Sequence, residues 1–168
     1  MKKLIFHFLG LMTFSYGNLA QGAVVNSNDI VIDLNLNISV EEAWNLWTDE
    51  RKIEQWLTTK AHVVPKLSGA YELFWDPENP NENSTIGCHI TALIPNKLLS
   101  FEWKGPVPYA DLMNVDPTPT WVQVSFEPLD PSKTIIHFRH SGWRQSARWA
   151  DARTWQLNAW SRAFQNLK

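Results

Sequence analysis

Apolar and polar residues alternate along residues 28–37, with Ile30, Ile32, Leu34 and Leu36 on one side and Asp29, Val31, Asp33, Asn35 and Asn37 on the other. This period of two is that of a half-buried strand with one face in water. Ser39-Val40-Glu41-Glu42 then has the form of a capping box, in which the Ser hydroxyl and the third-position Glu each satisfy a free backbone N–H at a helix start. The pattern predicts a helix to about Trp47, a second cap at Thr48-Asp49, and a second short helix over 50–57 carrying Ile53, Trp56 and Leu57.

From Ala61 onward the pattern is that of strands. Residues 62–64, 70–75, 85–94, 98–103, 120–126 and 135–140 are rich in β-branched and aromatic side chains. Turn signals separate them: Ser68-Gly69, Asp76-Pro77, Pro95-Asn96, Gly105-Pro106 opening a Pro-rich loop over 104–119, and 128–131. Consecutive strands joined by such turns predict an antiparallel sheet. Ser141-Gly142 breaks the last strand, and no Gly or Pro follows. In that final run Trp149, Ala152, Gln156, Ala159, Trp160, Ala163, Phe164 and Leu167 recur at three- and four-residue spacing, the face of an amphipathic helix over about 146–167. At 1.5 Å per residue it is roughly 30 Å long and needs a broad sheet to pack on. The order strand, two short helices, six strands, long helix is α+β and fits one domain over 28–168.

Residues 1–22 differ in kind. Lys2-Lys3, an apolar run over 4–16, and small residues around Ala20, Gly22 and Ala23 predict a secretory signal peptide cleaved between about 20 and 23. The run is short for a membrane span of about 20 residues, so the expectation is an exported, periplasmic or secreted protein that is not integral to the membrane after processing. Without Lys2 and Lys3 the chain holds 13 basic against 17 acidic residues, a balance opposite to that of a nucleic-acid binder. The single Cys88 has no internal disulfide partner, and its apolar strand predicts burial. Ten Trp in 168 residues make the core, or a cavity in it, strongly aromatic.

Several segments resemble a known family in order. Residues 40–49, VEEAWNLWTD, are similar to its opening helix, and Ile53-Glu54-Gln55-Trp56-Leu57 to the Trp-bearing segment after it. Ser68-Gly69-Ala70-Tyr71 stands where the family usually has a double Gly before an aromatic. Residues 95–103, PNKLLSFEW, resemble its proline-then-strand element ending in Trp, His140-Ser141-Gly142-Trp143 its turn before the last helix, and residues 155–168 its closing helix. The chain thus resembles the SRPBCC (START-like, Bet v 1-like) superfamily, in the branch related to the C-terminal domain of the Hsp90 ATPase activator Aha1. It departs from the pattern at Ser68, which replaces one Gly, and in the loop rich in Pro and Asp around 105–119. The resemblance implies a helix-grip fold, a curved antiparallel sheet wrapped around the C-terminal helix with a cavity between them.

Strand alternation supplies the inward-facing candidates. Tyr71, Leu73 and Trp75, then Ile86, Cys88 and Ile90, share one parity, as do Leu99, Phe101 and Trp103. Val122, Val124 and Phe126, with Ile136, Phe138 and His140, complete it, and Trp56, Trp155 and Trp160 join them from the helices. They form either a filled core or the wall of an apolar pocket. His140 is the titratable member, a weak candidate for acid–base work beside the plainer reading of a core histidine bonded to backbone. His137 lies three residues away on the same strand and therefore points to the opposite face, so the two do not chelate one ion. No metal or cofactor motif, nucleophile elbow, phosphate loop or CxxC pair is present in the sequence. Glu72 and Glu102 fall on the solvent parity, with Arg139 and Glu102 expected as a cross-strand pair.

Trp143 and Trp149, with Arg144 and Arg148, are expected either to line a surface for a protein partner or to staple the start of the last helix. Three functional classes follow: an exported protein binding a small hydrophobic, lipid-like or aromatic ligand; a protein-interaction module like the co-chaperone domain; and a cyclase- or hydrolase-like cavity enzyme using His140.

Overall fold

The computed structural model describes residues 28–115 and 117–167, so the expected leader lies outside the described residues. Strand β1 (Ile30–Leu36) buries Ile30 and half-buries Ile32, Leu34 and Leu36 while its alternate residues face solvent. Helix α1 (Val40–Thr48) begins with the expected capping box: the Glu42 N–H donates to Ser39 Oγ (3.2 Å) and the Ser39 N–H to Glu42 Oε2 (3.0 Å). Asp49 caps α2 (Glu50–Trp56) by accepting from the Lys52 N–H (3.1 Å).

Then come β2 (Lys60–Val63), β3 (Tyr71–Phe74), β4 (Ile90–Ile94), β5 (Leu98–Trp103), β6 (Thr120–Asp130) and β7 (Lys133–Ser141), and finally α4 (Ala147–Gln165), capped by Ser146. Gly142 ends β7 at φ +92°, a conformation L side chains rarely adopt, and a Cβ there would sit 2.8 Å from the Trp121 ring.

The strands divide into two antiparallel sheets, five in the order β1-β7-β6-β5-β4 and a β2-β3 ribbon. The ribbon meets the segment before β4 through isolated bridges, Ala70 with His89 and Phe74 with Ser84, and through backbone bonds such as the Tyr71 N–H to the Cys88 carbonyl (2.9 Å). The expected strand over 85–94 is therefore half as long as its composition suggested. Gly87, at φ +79°, breaks the pleat, and the Thr85 hydroxyl turns inward to accept from the Leu73 N–H (2.8 Å) and donate to the Tyr71 carbonyl (3.0 Å). Thr85 and Cys88 are buried in consequence, whereas Ile86, expected inside, is only half-buried.

The outer edge of the ribbon is covered by α2. The Ala61 N–H donates to Glu54 Oε1 (3.1 Å) and the Val63 N–H to Glu50 Oε1 (2.9 Å).

The 104–119 loop, expected to be irregular, contains a single 3-10 turn (Val107–Tyr109) and a short helix α3 (Ala110–Met113). It is clamped by Asn114, whose side chain accepts from the Gly105 N–H (2.7 Å) and donates to the Gly105 carbonyl (3.0 Å).

The core lies between the inner face of the five-stranded sheet and three helices. Trp47 of α1 stands among Trp56 (ring centroids 4.9 Å apart), Phe138 (6.0 Å) and Trp160 (6.4 Å), tying α1, α2, β7 and α4 together. Burying an aromatic of this size contributes roughly 1.5–3 kcal/mol from area alone. Tyr71 is stacked on Phe101 at 3.7 Å, and its hydroxyl donates to the Trp47 carbonyl (3.0 Å), so burial raises its pKa well above the usual phenol range.

Ser68, where the resemblance leads one to expect glycine, adopts φ +60°. A side chain in the left-handed region costs about 1–2 kcal/mol, partly offset by glycine's larger loss of chain entropy. Ser68→Gly should raise the unfolding free energy by up to about 1 kcal/mol, seen as a higher urea midpoint at unchanged slope; an equal or lower midpoint would show that the loop carries no such strain.

Candidate functional site

Strand β7 carries His140 into the interior, where it is completely buried. The Trp160 indole Nε1–H, which can only donate, gives its hydrogen bond to His140 Nδ1 (3.1 Å). That fixes the neutral Nε2–H tautomer, and Nε2 lies 3.0 Å from Thr120 Oγ1 as its donor. The Thr120 hydroxyl in turn donates to the Trp103 carbonyl (3.1 Å). Burial lowers the His140 pKa to about 3, so the ring stays neutral at physiological pH. Both ring nitrogens are committed to holding α4, β6 and β5 together. The acid–base role has no free nitrogen to act through; His140 is a core histidine, but its ring is bonded to the side chains of Thr120 and Trp160 rather than to backbone.

Near this network the sheet and α4 part to leave a cavity of about 320 Å³. Trp75, Trp103, Trp155 and Trp160 wall it, with Leu57, Ala159 and Ala163 adding apolar surface. Trp75 and Trp103 meet edge to face at 5.7 Å, and Trp103 and Trp160 lie 4.7 Å apart. Lys104, Gly105 and Pro106 close one side and Asn83 and Ser84 another, while Gln156 brings the polar side chain of the buried α4 face. The loop that departs from the family pattern thus supplies part of the cavity wall. It is tied down by the Val107 N–H donating to Asn83 Oδ1 (3.0 Å) and by Arg148 gripping both carboxylate oxygens of Asp111.

Of the eighteen inward candidates, the structure brings four, Trp75, Trp103, Trp155 and Trp160, to this cavity, and buries Leu99 in the core. Tyr71, Leu73, Ile90, Phe101 and Val122 are packed core, as are Val124, Phe126, Ile136 and Phe138. Trp56 and Cys88 are likewise buried away from the cavity, and burial pushes the Cys88 thiol up to about 12. Alternation identifies which side chains face inward but not which of them touch one another, so filled core and cavity wall look alike in it. The loop residues Asn83, Ser84, Lys104 and Pro106 escaped it because they lie outside the strands. Gln156 carried a legible signal, being the one polar residue in the apolar stripe of α4.

Trp143 and Trp149, expected either on a partner surface or as a staple of the helix start, are both buried, as the second reading requires. The Trp143 Nε1–H donates to the His140 carbonyl (3.0 Å), its ring meets Trp149 edge to face at 6.2 Å, and the Arg144 guanidinium lies 5.5 Å above Trp149. The group staples the start of α4 to the end of β7, because the turn at Gly142 folds Trp143 back under the helix. That removes the aromatic surface on which a partner site at Trp143, Arg144, Arg148 and Trp149 would have rested.

The remaining histidines sit with carboxylates on the outside. His137 is held between Asp33 Oδ1 (2.9 Å) and Glu127 Oε2 (3.0 Å), and its pKa is raised by donating to Glu127 first and Asp33 second. His62 lies 3.4 Å from Glu50 and His89 3.4 Å from Glu102. Glu102 also accepts from the His89 backbone N–H (2.9 Å), so its partner is His89 on the neighbouring segment rather than Arg139. Glu72 accepts from the Gly87 N–H (2.7 Å). Among the described residues no three His, Cys, Asp or Glu side chains are placed to hold a metal ion, and no helix is long and apolar enough to cross a membrane.

The profile of the activator of Hsp90 ATPase homolog 1-like protein family matches residues 37–168. The chain belongs to this family. With it goes the SRPBCC superfamily and the helix-grip fold expected from the ordered segments. Among solved structures, protein MLL2253 from Mesorhizobium loti is 23% identical with a TM-score of 0.65, over 83% of this chain and 93% of that one. PFC0360w, an Hsp90 activator from Plasmodium falciparum, is 17% identical with a TM-score of 0.64, over 83% and 92%. The Aha1 dimer from Colwellia psychrerythraea is 18% identical with a TM-score of 0.62, over 83% and 92%. At these identities the likeness is one of fold. No match was found among curated proteins. In this activator-homolog domain the grip of sheet on helix is largely filled by aromatic side chains, and the cavity opens where the segments after β3 and β5 meet the middle of α4.

Proposed function

We propose that the protein binds a small, ring-bearing apolar ligand in the cavity between β3, the segment after β5 and α4, and that it does so after export directed by residues 1–22. The observation that carries this reading is the tryptophan wall: Trp75, Trp103, Trp155 and Trp160 face one space of about 320 Å³. That volume is at the small end of ligand pockets, which are mostly apolar with a few polar groups to orient the guest. Trp155 supports it further, since its ring remains 38% exposed on a helix whose neighbouring tryptophans are buried. A bound ring would cover that surface.

Native mass spectrometry of the chain purified from the exported fraction, followed by solvent extraction, tests both parts. The expected result is a mass lacking the first 20–22 residues together with a co-purifying apolar molecule. Trp155→Ala should weaken recapture of that molecule by about tenfold or more, the range of an aromatic hot spot, while shifting the unfolding midpoint little because Trp155 is partly exposed. A cleaved chain without cargo, whose tryptophan fluorescence is unmoved by a panel of aromatics and lipids, would overturn the ligand reading. An uncleaved chain retained in the cytoplasm would overturn export.

A further inference from the structure

The polar groups that this cavity offers are donors. Three of its four indoles spend their N–H inside the protein: Trp75 on the Leu57 carbonyl (2.8 Å), Trp103 on Gln156 Oε1 (3.3 Å) and Trp160 on His140 Nδ1 (3.1 Å). Because an indole N–H can only donate, the bond from Trp103 fixes the Gln156 amide, with its oxygen on Trp103 and its NH2 group directed elsewhere. Gln156 is 3% exposed, and its amide nitrogen makes no hydrogen bond to the described residues. Among those residues only Trp47 Nε1 is both sealed and unpartnered, so the Gln156 nitrogen keeps accessible surface, and Gln156 lines the cavity.

Lys104 is the one charged residue among those that line the cavity. Its ammonium donates to the Ile86 carbonyl and keeps further N–H groups. Asn83 has its oxygen occupied by the Val107 N–H, which leaves its NH2 group. The Ser84 hydroxyl spends its one O–H on the Pro80 carbonyl (2.6 Å) and accepts from the Ile86 N–H (3.3 Å). No Asp or Glu is among the lining residues. A tryptophan box by itself would suit a cation as well as a neutral ring. A lysine without a carboxylate in the wall reverses that preference.

The geometry points to an anionic ligand: a ring body held between the tryptophans and carrying a carboxylate whose oxygens accept from Gln156 Nε2 and Lys104 Nζ. This rests on the ligand-binding reading above and adds the sign of the ligand's charge. Gln156 and Lys104 are then the residues that set specificity.

The test is isothermal titration of the folded domain at pH 7 with three probes of one shape, 2-naphthoate, 2-naphthalenemethanol and 2-naphthylmethylammonium. Naphthoate should bind about tenfold or more tightly than the alcohol, as charge-assisted hydrogen bonds require, with the ammonium weakest. Lys104→Met should bring naphthoate and the alcohol to within about threefold of each other. Gln156→Glu keeps an acceptor for Trp103 and places a carboxylate where the NH2 group was, so it should reverse the order in favour of the ammonium. Circular dichroism verifies that each variant is folded; if Gln156→Glu does not fold, Lys104→Met decides alone. Equal binding of all three probes, a wild-type preference for the ammonium, or an unchanged ratio in Lys104→Met would overturn anion selection and leave the pocket standing. Binding of none would overturn the pocket itself.

Discussion

Trp160→Ala should lower the unfolding free energy by about 3–5 kcal/mol, the range for deleting a fully buried large aromatic. Trp160 is 1% exposed and stands 4.6 Å from Phe138, 4.7 Å from Trp103 and 5.6 Å from Phe164, so its loss leaves a void that sheet and helix cannot both close. It also strands His140 Nδ1, a buried acceptor, at a cost of about 1–3 kcal/mol. Trp160→Phe separates the two effects: it keeps most of the ring and loses the N–H, so its loss should fall near that second figure. Against a total stability of roughly 5–15 kcal/mol, the alanine variant is expected to unfold in mild urea. A midpoint within error of wild type would show that α4 is not held through this residue.

The second large effect is on pH dependence. His140 titrates near 6.5 in the unfolded chain and near 3 when folded, because burial disfavours the imidazolium. Between those values the unfolded state binds a proton that the native state refuses, so stability falls as pH falls, by about 1.4 kcal/mol per unit. From pH 7 to pH 5 this one group removes about 2 kcal/mol. Glu42, Glu54 and Asp111, whose pKa values are lowered by hydrogen bonds to Ser39, Lys60 and Arg148 respectively, add a loss of the same sign at lower pH. His137 works the other way. Its raised pKa gives stability that is complete below about 6.5 and is lost as pH rises through the folded value.

Urea unfolding of wild type and His140→Gln at pH 7 and pH 5 isolates the buried group, since the other contributions are common to both. The variant should be less stable at pH 7 and nearly free of the extra acid loss. Parallel losses in the two proteins would mean that His140 is not buried as a neutral ring.

The outline of the fold was legible because its local signals agree. The Ser39–Glu42 box, the alternation in β1 and the uninterrupted apolar stripe of α4 each have one physical reading, and each stands where expected. Where the chain was misread, a long-range or backbone effect had overridden composition. Residues 85–89 have strand-forming side chains, yet Gly87 turns the backbone and Thr85 answers the Leu73 N–H. Local pattern left Trp143 with two readings, partner surface or staple, because nothing local shows that the Gly142 turn folds its ring against Trp149 of α4. The cavity was the least legible feature. Its aromatic members are visible in the alternation, but whether facing rings touch or leave a gap depends on where the flanking residues Asn83, Ser84 and 104–106 are held, which no periodicity records.

The α2 carboxylates that cover the β2 edge illustrate a match of two repeats. Four residues of helix advance about 6.0 Å and two residues of strand about 6.6 Å, so Glu50 and Glu54 meet the N–H groups of Val63 and Ala61 in antiparallel register without distortion. An open ribbon edge is a template on which a second chain can add a strand. Here the outward donors are already occupied by side chains from the preceding helix. A newly made molecule, crowded among its copies before α4 has docked, gains this protection from residues only about ten positions away, so the guard against edge-to-edge association is in place as soon as α2 and β2 form.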